Sequence, residues 1–275
     1  MDEPRLSVCL SFDFDAMSVW IASTNNPATI SRGEFGAVAV PRILELLARH
    51  GMAATFFIPG HTALAYPDEV RAIRDAGHEI AHHGWVHEDP QQLDAERERD
   101  VFRRGLDALQ EVAGVRPVGY RSPGASFSAD TIDILIENEI VYDSSCSGTD
   151  FEPYHLRRGD RWSKTEPYQF GTPSGIVELP FSWILDDFPH FEFEPGWSTE
   201  QSPPSVVREI WQGEFDYAYA ASPGGVFVLT MHPQVIGRGH RITMLDALVE
   251  YMAGQDGVVF ETMAEPARRW LRANG

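Results

Sequence analysis

The sequence predicts an α/β fold in which a parallel sheet, covered by helices, closes into a barrel. Three observations carry this. Short apolar runs alternate with helix-spaced amphipathic segments through most of the 275 residues. Six or more such units follow one another without a low-complexity linker, which favours one closed sheet over two domains. The residues with chemical potential fall at or just after the ends of the apolar runs, where barrels build their sites. The expected organisation is a single domain over residues 1–275.

The elements follow in order. Leu6 to Phe12 is almost continuously apolar and reads as a buried strand. Val40, Ile43, Leu44 and Leu47 recur at helical spacing, which predicts a helix over 38–49. Ala53 to Ile58 is a second strand. Pro67 opens a helix that Gly77 ends. His78 to Ala81 is a third strand. Asp94 to Val112 is a long charged helix with Val101, Leu106, Leu109 and Val112 on its buried face. Further strands are expected at 118–120, 140–142, 176–179, 226–231 and 258–260, and further helices at 129–138, 205–218 and 244–252. Residues 143–175 show no clear period and read as a long excursion, a candidate cover for the site.

Composition narrows the function classes. A 43% apolar content is ordinary for a globular protein, and no run reaches the ~18 apolar residues of a membrane span. A net charge of −19 argues against nucleic acid and against an anionic membrane surface as partners. Cys9 and Cys146 read as two free thiols. The chain begins Met1-Asp2-Glu3-Pro4 and enters its first strand at once, with no basic leader. These features set the expectation of a cytoplasmic protein acting on a small molecule. Monomer and homo-oligomer both stay open.

Two clusters carry the chemistry. Asp13 and Asp15 lie two apart, so a strand puts both on one face and Phe12 and Phe14 on the other. Two carboxylates at one mouth repel unless a cation or an arginine lies between them. His83 and His87 are four apart, a spacing that brings two imidazoles to one ion. Together the clusters offer the ligands of a catalytic metal site. His82 points the other way if the strand continues, and is expected either to be structural or to support the site from behind its ligands. Arg121, after a short strand, suits a partner for a catalytic carboxylate. His232 closes the apolar run Leu229-Thr230-Met231. It gains weight from sharing the same end of the fold.

The stretch from Ala54 to His87, with Ala54-Thr55-Phe56-Phe57, Tyr66-Pro67, Gly77-His78-Glu79-Ile80 and the His83/His87 pair, resembles the central signature of the polysaccharide deacetylases, carbohydrate esterase family 4. The Asp motif at Ser11–Asp15, Arg121-Ser122-Pro123 and Leu229–His232 extend the likeness over roughly residues 6 to 260. The resemblance implies a distorted (β/α) barrel of about seven strands and metal-dependent hydrolysis of acetamido groups. It implies Asp15, His83 and His87 as ligands of a divalent metal, with Zn²⁺ the expected ion. Asp13 is then the general base, Arg121 its electrostatic partner and His232 the general acid.

The chain departs from the usual pattern. Phe14 separates the two aspartates, Gly124 replaces an aromatic, and the aspartate-to-tryptophan motif has only Trp183 as a near candidate. These departures are similar to a subgroup with D-x-D and H-P-x-x-I-G-R, here Asp13–Asp15 and His232–Arg238, that includes intracellular-type peptidoglycan deacetylases and cyclic imidases. Arg32-Gly33-Glu34-Phe35-Gly36 also looks subgroup-like, with Glu34 either at the site or in a solvated loop. Three functions follow: an N-deacetylase, an amidohydrolase of cyclic imides or ureides, and a catalytically silent sugar-binding barrel.

Overall fold

The structure, a computed structural model, describes residues 3–24, 26–194 and 201–274. Its strands are β1 Leu6–Asp13, β2 Thr55–Ile58, β3 Glu79–His82, β4 Gly119–Tyr120, β5 Tyr142–Asp143, β6 Tyr154–Arg158, β7 Thr172–Glu178, β8 Gly225–Met231 and β9 Val258–Phe260. Its helices are α1 Ser18–Ser23, α2 Pro27–His50, α3 Gly60–Ala65, α4 Pro67–Asp75, α5 Ala95–Ala113, α6 Thr131–Glu137, α7 Asp187–Phe191, α8 Pro204–Ala221, α9 Pro233–Ile236, α10 Gly239–Ala253 and α11 Ala264–Asn274.

β1 is buried along its whole length, as the apolar run required. It pairs parallel with β8 from Leu6 to Phe12. Its other edge is divided, with β9 on Leu6–Val8 and β2 on Ser11–Asp13. The sheet order is β6-β7-β5-β4-β3-β2-β1-β8. All these pairings are parallel except β6 with β7. The seven parallel strands from β8 round to β7 therefore curl into an incomplete barrel. Among the described residues β7 and β8 do not pair. The chain after β7 spans the gap, and Asp186 forms a bridge with Thr230.

Alternation along β1 sends Cys9 inward with Phe57, Ala81, Tyr142, Val177 and Val228. Val8, Leu10 and Phe12 face outward to the helices. The C-terminal segment plugs the bottom of the barrel with Met263, Ala264 and Ala267. The Ala264 N–H donates to Glu79 at 3.1 Å and the Met263 N–H to Thr55 Oγ1 at 2.9 Å. Sequence periodicity did not reveal α11.

Two expectations need correction. The helix expected over 38–49 begins eleven residues earlier. Asn26 caps Ala28 N–H and Pro27 sits in the first turn, but residues 27–37 are too small and polar to show a buried stripe. Residues 143–175 do not cover the site. β6 runs down from Tyr154, opposite Glu178, to Arg158, opposite Thr172. The hairpin continues past the lower end of β7 to the Arg161–Gln169 bridge. At about 3.3 Å per residue, the seven steps from Tyr154 to Arg161 put that bridge roughly 23 Å from the top of the barrel. Trp162 and Phe170 at the tip are exposed.

Candidate active site

Each candidate side chain leaves the top of a strand. Asp13 ends β1 and Asp15 follows, both facing the barrel mouth, while Phe14 packs outward in the core. The chain then turns sharply. Ala16 takes a left-handed conformation (φ 48°), and the Asp15 carbonyl accepts the Thr62 hydroxyl at 2.6 Å and Ser18 N–H at 2.9 Å. Gly33 of α2 lies against this turn. A Cβ there would stand 2.2 Å from the Ala16 carbonyl oxygen, so only glycine lets α2 approach. That is the use of the Arg32–Gly36 segment. Glu34 itself is exposed.

His83 follows β3. Its Nδ1–H donates to the Arg121 carbonyl at 2.7 Å, which fixes the ring and leaves Nε2 facing the mouth. His87 returns to it through a tight loop, not a helix. Gly84 and His87 both have positive φ (73° and 64°), and the Glu88 carboxylate accepts the N–H groups of Trp85 and Val86. His82 is structural: it stacks on Phe102 and bonds its carbonyl at 2.9 Å.

The groups converge on Asp15. His83 Nε2 lies 3.3 Å from Oδ1, His87 Nε2 3.9 Å from Oδ2, and His232 Nε2 3.6 Å from Oδ2. His83 Nε2 is also 3.8 Å from Asp13. Both Asp15 carboxylate oxygens and His83 Nε2 are buried without a hydrogen-bond partner. Burial works against the Asp15 charge, but His87, His83 and His232 outweigh it and bring the carboxyl down to about 2. Burial pushes the His87 imidazole down. A buried carboxylate and two imidazoles aimed at one point, with orphaned lone pairs, fit a divalent cation, and the donor set suits Zn²⁺.

Asp13 has a different partner. Arg121, almost fully buried, donates Nη1–H to Asp13 Oδ1 at 2.7 Å and to Ser11 Oγ at 3.0 Å. Its Nε and Nη2 donate to Ser144, and its guanidinium lies 4.2 Å over the Phe57 ring. Arg121 thus orients Asp13 through Oδ1, while Oδ2 is the oxygen that lies 3.8 Å from His83 Nε2.

His232, at the end of β8, is held by Asp187. Its backbone N–H and its Nδ1 both bond that carboxylate, Nδ1 at 2.7 Å. Burial opposes the imidazolium, but Asp186 and Asp187 outweigh it and hold the imidazole well above its usual range. Burial, against the pull of His232, lifts Asp186 to about 7. Sequence reading missed both aspartates. It stopped at Trp183, which lines the cavity mouth, three residues short. The adjacent acids closing Trp183-Ile184-Leu185 were the available signal.

These residues surround a cavity of about 340 Å³, walled by Val19, Trp20, Phe181, Trp183 and Phe188. Glu194 lines its rim and pairs with Arg32, whose guanidinium lies over Trp20.

Comparison with known proteins gives a consistent picture. A family model for polysaccharide deacetylase matches residues 8–142. The peptidoglycan deacetylase of Helicobacter pylori is 33% identical over 98% of both chains. A crystal structure of a Mycobacterium smegmatis protein assigned to the polysaccharide deacetylases is 35% identical, covering 99% of this chain and 92% of that one, with a TM-score of 0.86. The Puue allantoinase shares the fold at 22% identity and a TM-score of 0.79, over 99% of this chain and 92% of that one.

Proposed function

This chain belongs to the polysaccharide deacetylase family, and from that premise we propose that it is a metal-dependent N-deacetylase of acetamido sugars, with peptidoglycan fragments among its substrates. The observation that carries the reading is the separation of three functions around one cavity: the orphaned Asp15/His83/His87 donors, the Arg121-held Asp13, and the Asp187-held His232.

Asp15, His83 and His87 hold the divalent cation, Zn²⁺ by their chemistry. When bound, the cation supplies Lewis acidity toward the acetyl carbonyl and toward water. Asp13, aimed by its hydrogen bond from Arg121, takes a proton from the attacking water. His232, charged through Asp186 and Asp187, delivers a proton from Nε2 to the leaving nitrogen. The apolar walls give the sugar ring and acetyl methyl a surface to pack on. The whole chain acts as one catalytic domain. A cytoplasmic setting is part of the proposal, supported by two unpaired thiols. No described helix is long and apolar enough to cross a membrane.

The relatives that match along the full chain favour deacetylation over imide or ureide hydrolysis, since the allantoinase likeness is one of fold. A silent barrel would be expected to lack a ligand or the base, and each position here is filled. The test is acetate release by Zn²⁺-loaded protein from N-acetylglucosamine oligomers and peptidoglycan fragments, beside imides and allantoin. Ring opening of an imide without acetate release from any acetamido sugar overturns the proposal.

A further inference from the structure

Two carboxyls lie behind Arg121 that this reaction does not use. Asp143 ends β5 and Glu178 ends β7, opposite one another in register, and both are fully buried. Glu178 Oε1 accepts Ser145 N–H at 2.9 Å and Cys146 N–H at 2.8 Å. Asp143 Oδ1 accepts the Ser145 hydroxyl at 3.0 Å. The remaining oxygens, Asp143 Oδ2 and Glu178 Oε2, are buried with no donor aimed at either. Arg121, the cation that acts on Asp143, directs its own donors to Asp13, Ser11 and Ser144. Two adjacent buried carboxylates cannot both stay ionised, whereas one proton between them supplies the missing donor.

We propose that Asp143 and Glu178 share one proton as an acid–carboxylate pair, and that this pair positions Arg121 and, through it, Asp13. The connection is continuous. The pair fixes residues 144–146. Ser144 takes Arg121 through its carbonyl at 2.9 Å and its hydroxyl at 3.1 Å. Ser145 Oγ accepts Ser122 N–H at 2.9 Å. Arg121 then holds Asp13 through its guanidinium and His83 through its carbonyl. Burial lifts both carboxyls above their ordinary range, and for Glu178 the neighbouring Asp143 adds to it. The titratable groups that face the pair are Arg121, Tyr120, Cys146 and Tyr154, and Arg157 acts on Cys146. The positioning role rests on the deacetylase reading, but the shared proton does not.

The experiment combines infrared spectroscopy, ¹⁵N NMR and kinetics on the Zn²⁺-loaded chain. At pH 8 the wild type should show a protonated-carboxyl C=O band that disappears in Glu178→Gln. The Arg121 Nε–H resonance should be protected from exchange in the wild type and in Glu178→Gln, whose amide replaces the shared proton, and lost in Glu178→Ala. On an acetamido substrate, Glu178→Gln should stay within about threefold of wild-type kcat, and Glu178→Ala should lose roughly tenfold or more with KM little changed. Ser145→Ala, which cuts the link but leaves both acids, should also weaken the Arg121 protection, and it decides the matter if Glu178→Ala does not fold. Absence of the band at pH 8, or an Arg121 resonance and kcat unmoved in Glu178→Ala and Ser145→Ala, overturns the proposal. If the wild type releases no acetate, the functional reading fails while the band and the resonance still decide this one.

Discussion

His232 Nδ1 and Asp187 Oδ1 lie 2.7 Å apart, and the same carboxylate also takes the His232 backbone N–H. One buried acid thus sets the ring's orientation and, together with Asp186, its charge, leaving Nε2 toward the cavity. Asp187 is the first residue of α7, on the chain that bridges the gap between β7 and β8. The barrel's incomplete closure is what brings it there.

The first prediction concerns this pair. With its carboxylates in place, His232 stays protonated through neutral pH and loses its proton only as pH rises through its raised pKa. Activity that needs the protonated ring should therefore fall on the alkaline side. Asp187→Asn removes a raising charge, so that limb should move to lower pH. At pH 8, kcat should drop by about 10²-fold or more, within the usual span of acid–base contributions. The pH profile and the His232 ring NMR titration check it together. An unmoved alkaline limb would count against the assignment.

Asp13 and Asp15 should separate cleanly. Asp13 bonds Arg121, whereas Asp15 presents two unpartnered oxygens to the histidines. Asp13→Asn should keep bound metal by elemental analysis and lose most turnover. Asp15→Asn should lose the metal. The reverse pattern would swap their roles.

The hairpin tip should be irrelevant to turnover. Trp162→Ser with Phe170→Ser alters exposed rings about 26 Å of strand away from the top of β7. The double variant should keep kcat/KM within about twofold. A large loss would mean that the tip reaches a site after all, its own or a neighbouring copy's.

Gly33→Ala should destabilise the fold. Its methyl would meet the Ala16 carbonyl at 2.2 Å, and neither backbone can yield without moving the Asp15 turn. A loss of about 1–3 kcal/mol is the ordinary scale of overpacking. Urea denaturation measures it, and an unchanged midpoint would refute the close approach.

These contacts also show what the sequence could reveal. Asp13 and Asp15 were legible because strand alternation is a period of two, and β1 obeys it from Leu6 to Asp13. His83 and His87 were legible by their spacing, although left-handed backbone at Gly84 and His87 brings them together in place of a helical turn. Asp186 and Asp187 were not, because an irregular segment with a single bridge to β8 carries them and has no period to read. The β6–β7 hairpin was hidden for a related reason. In β6 only Leu156 is buried among Tyr154, His155 and two arginines, and Thr172–Gly175 of β7 is small and mostly exposed, so alternation could not distinguish them from a loop. The Asp143–Glu178 pair was invisible because only the strand register makes neighbours of residues 35 apart in the chain.

The central claim is that a cation held by Asp15, His83 and His87 makes this chain an N-deacetylase. Its most direct test is acetate release from an N-acetylglucosamine oligomer by chelator-stripped protein titrated with Zn²⁺. The account predicts that stripped protein is inactive, that activity returns and saturates near one ion per chain, and that His87→Ala does not recover over the same titration. Full acetate release in excess chelator, or recovery by His87→Ala at one equivalent, would contradict it.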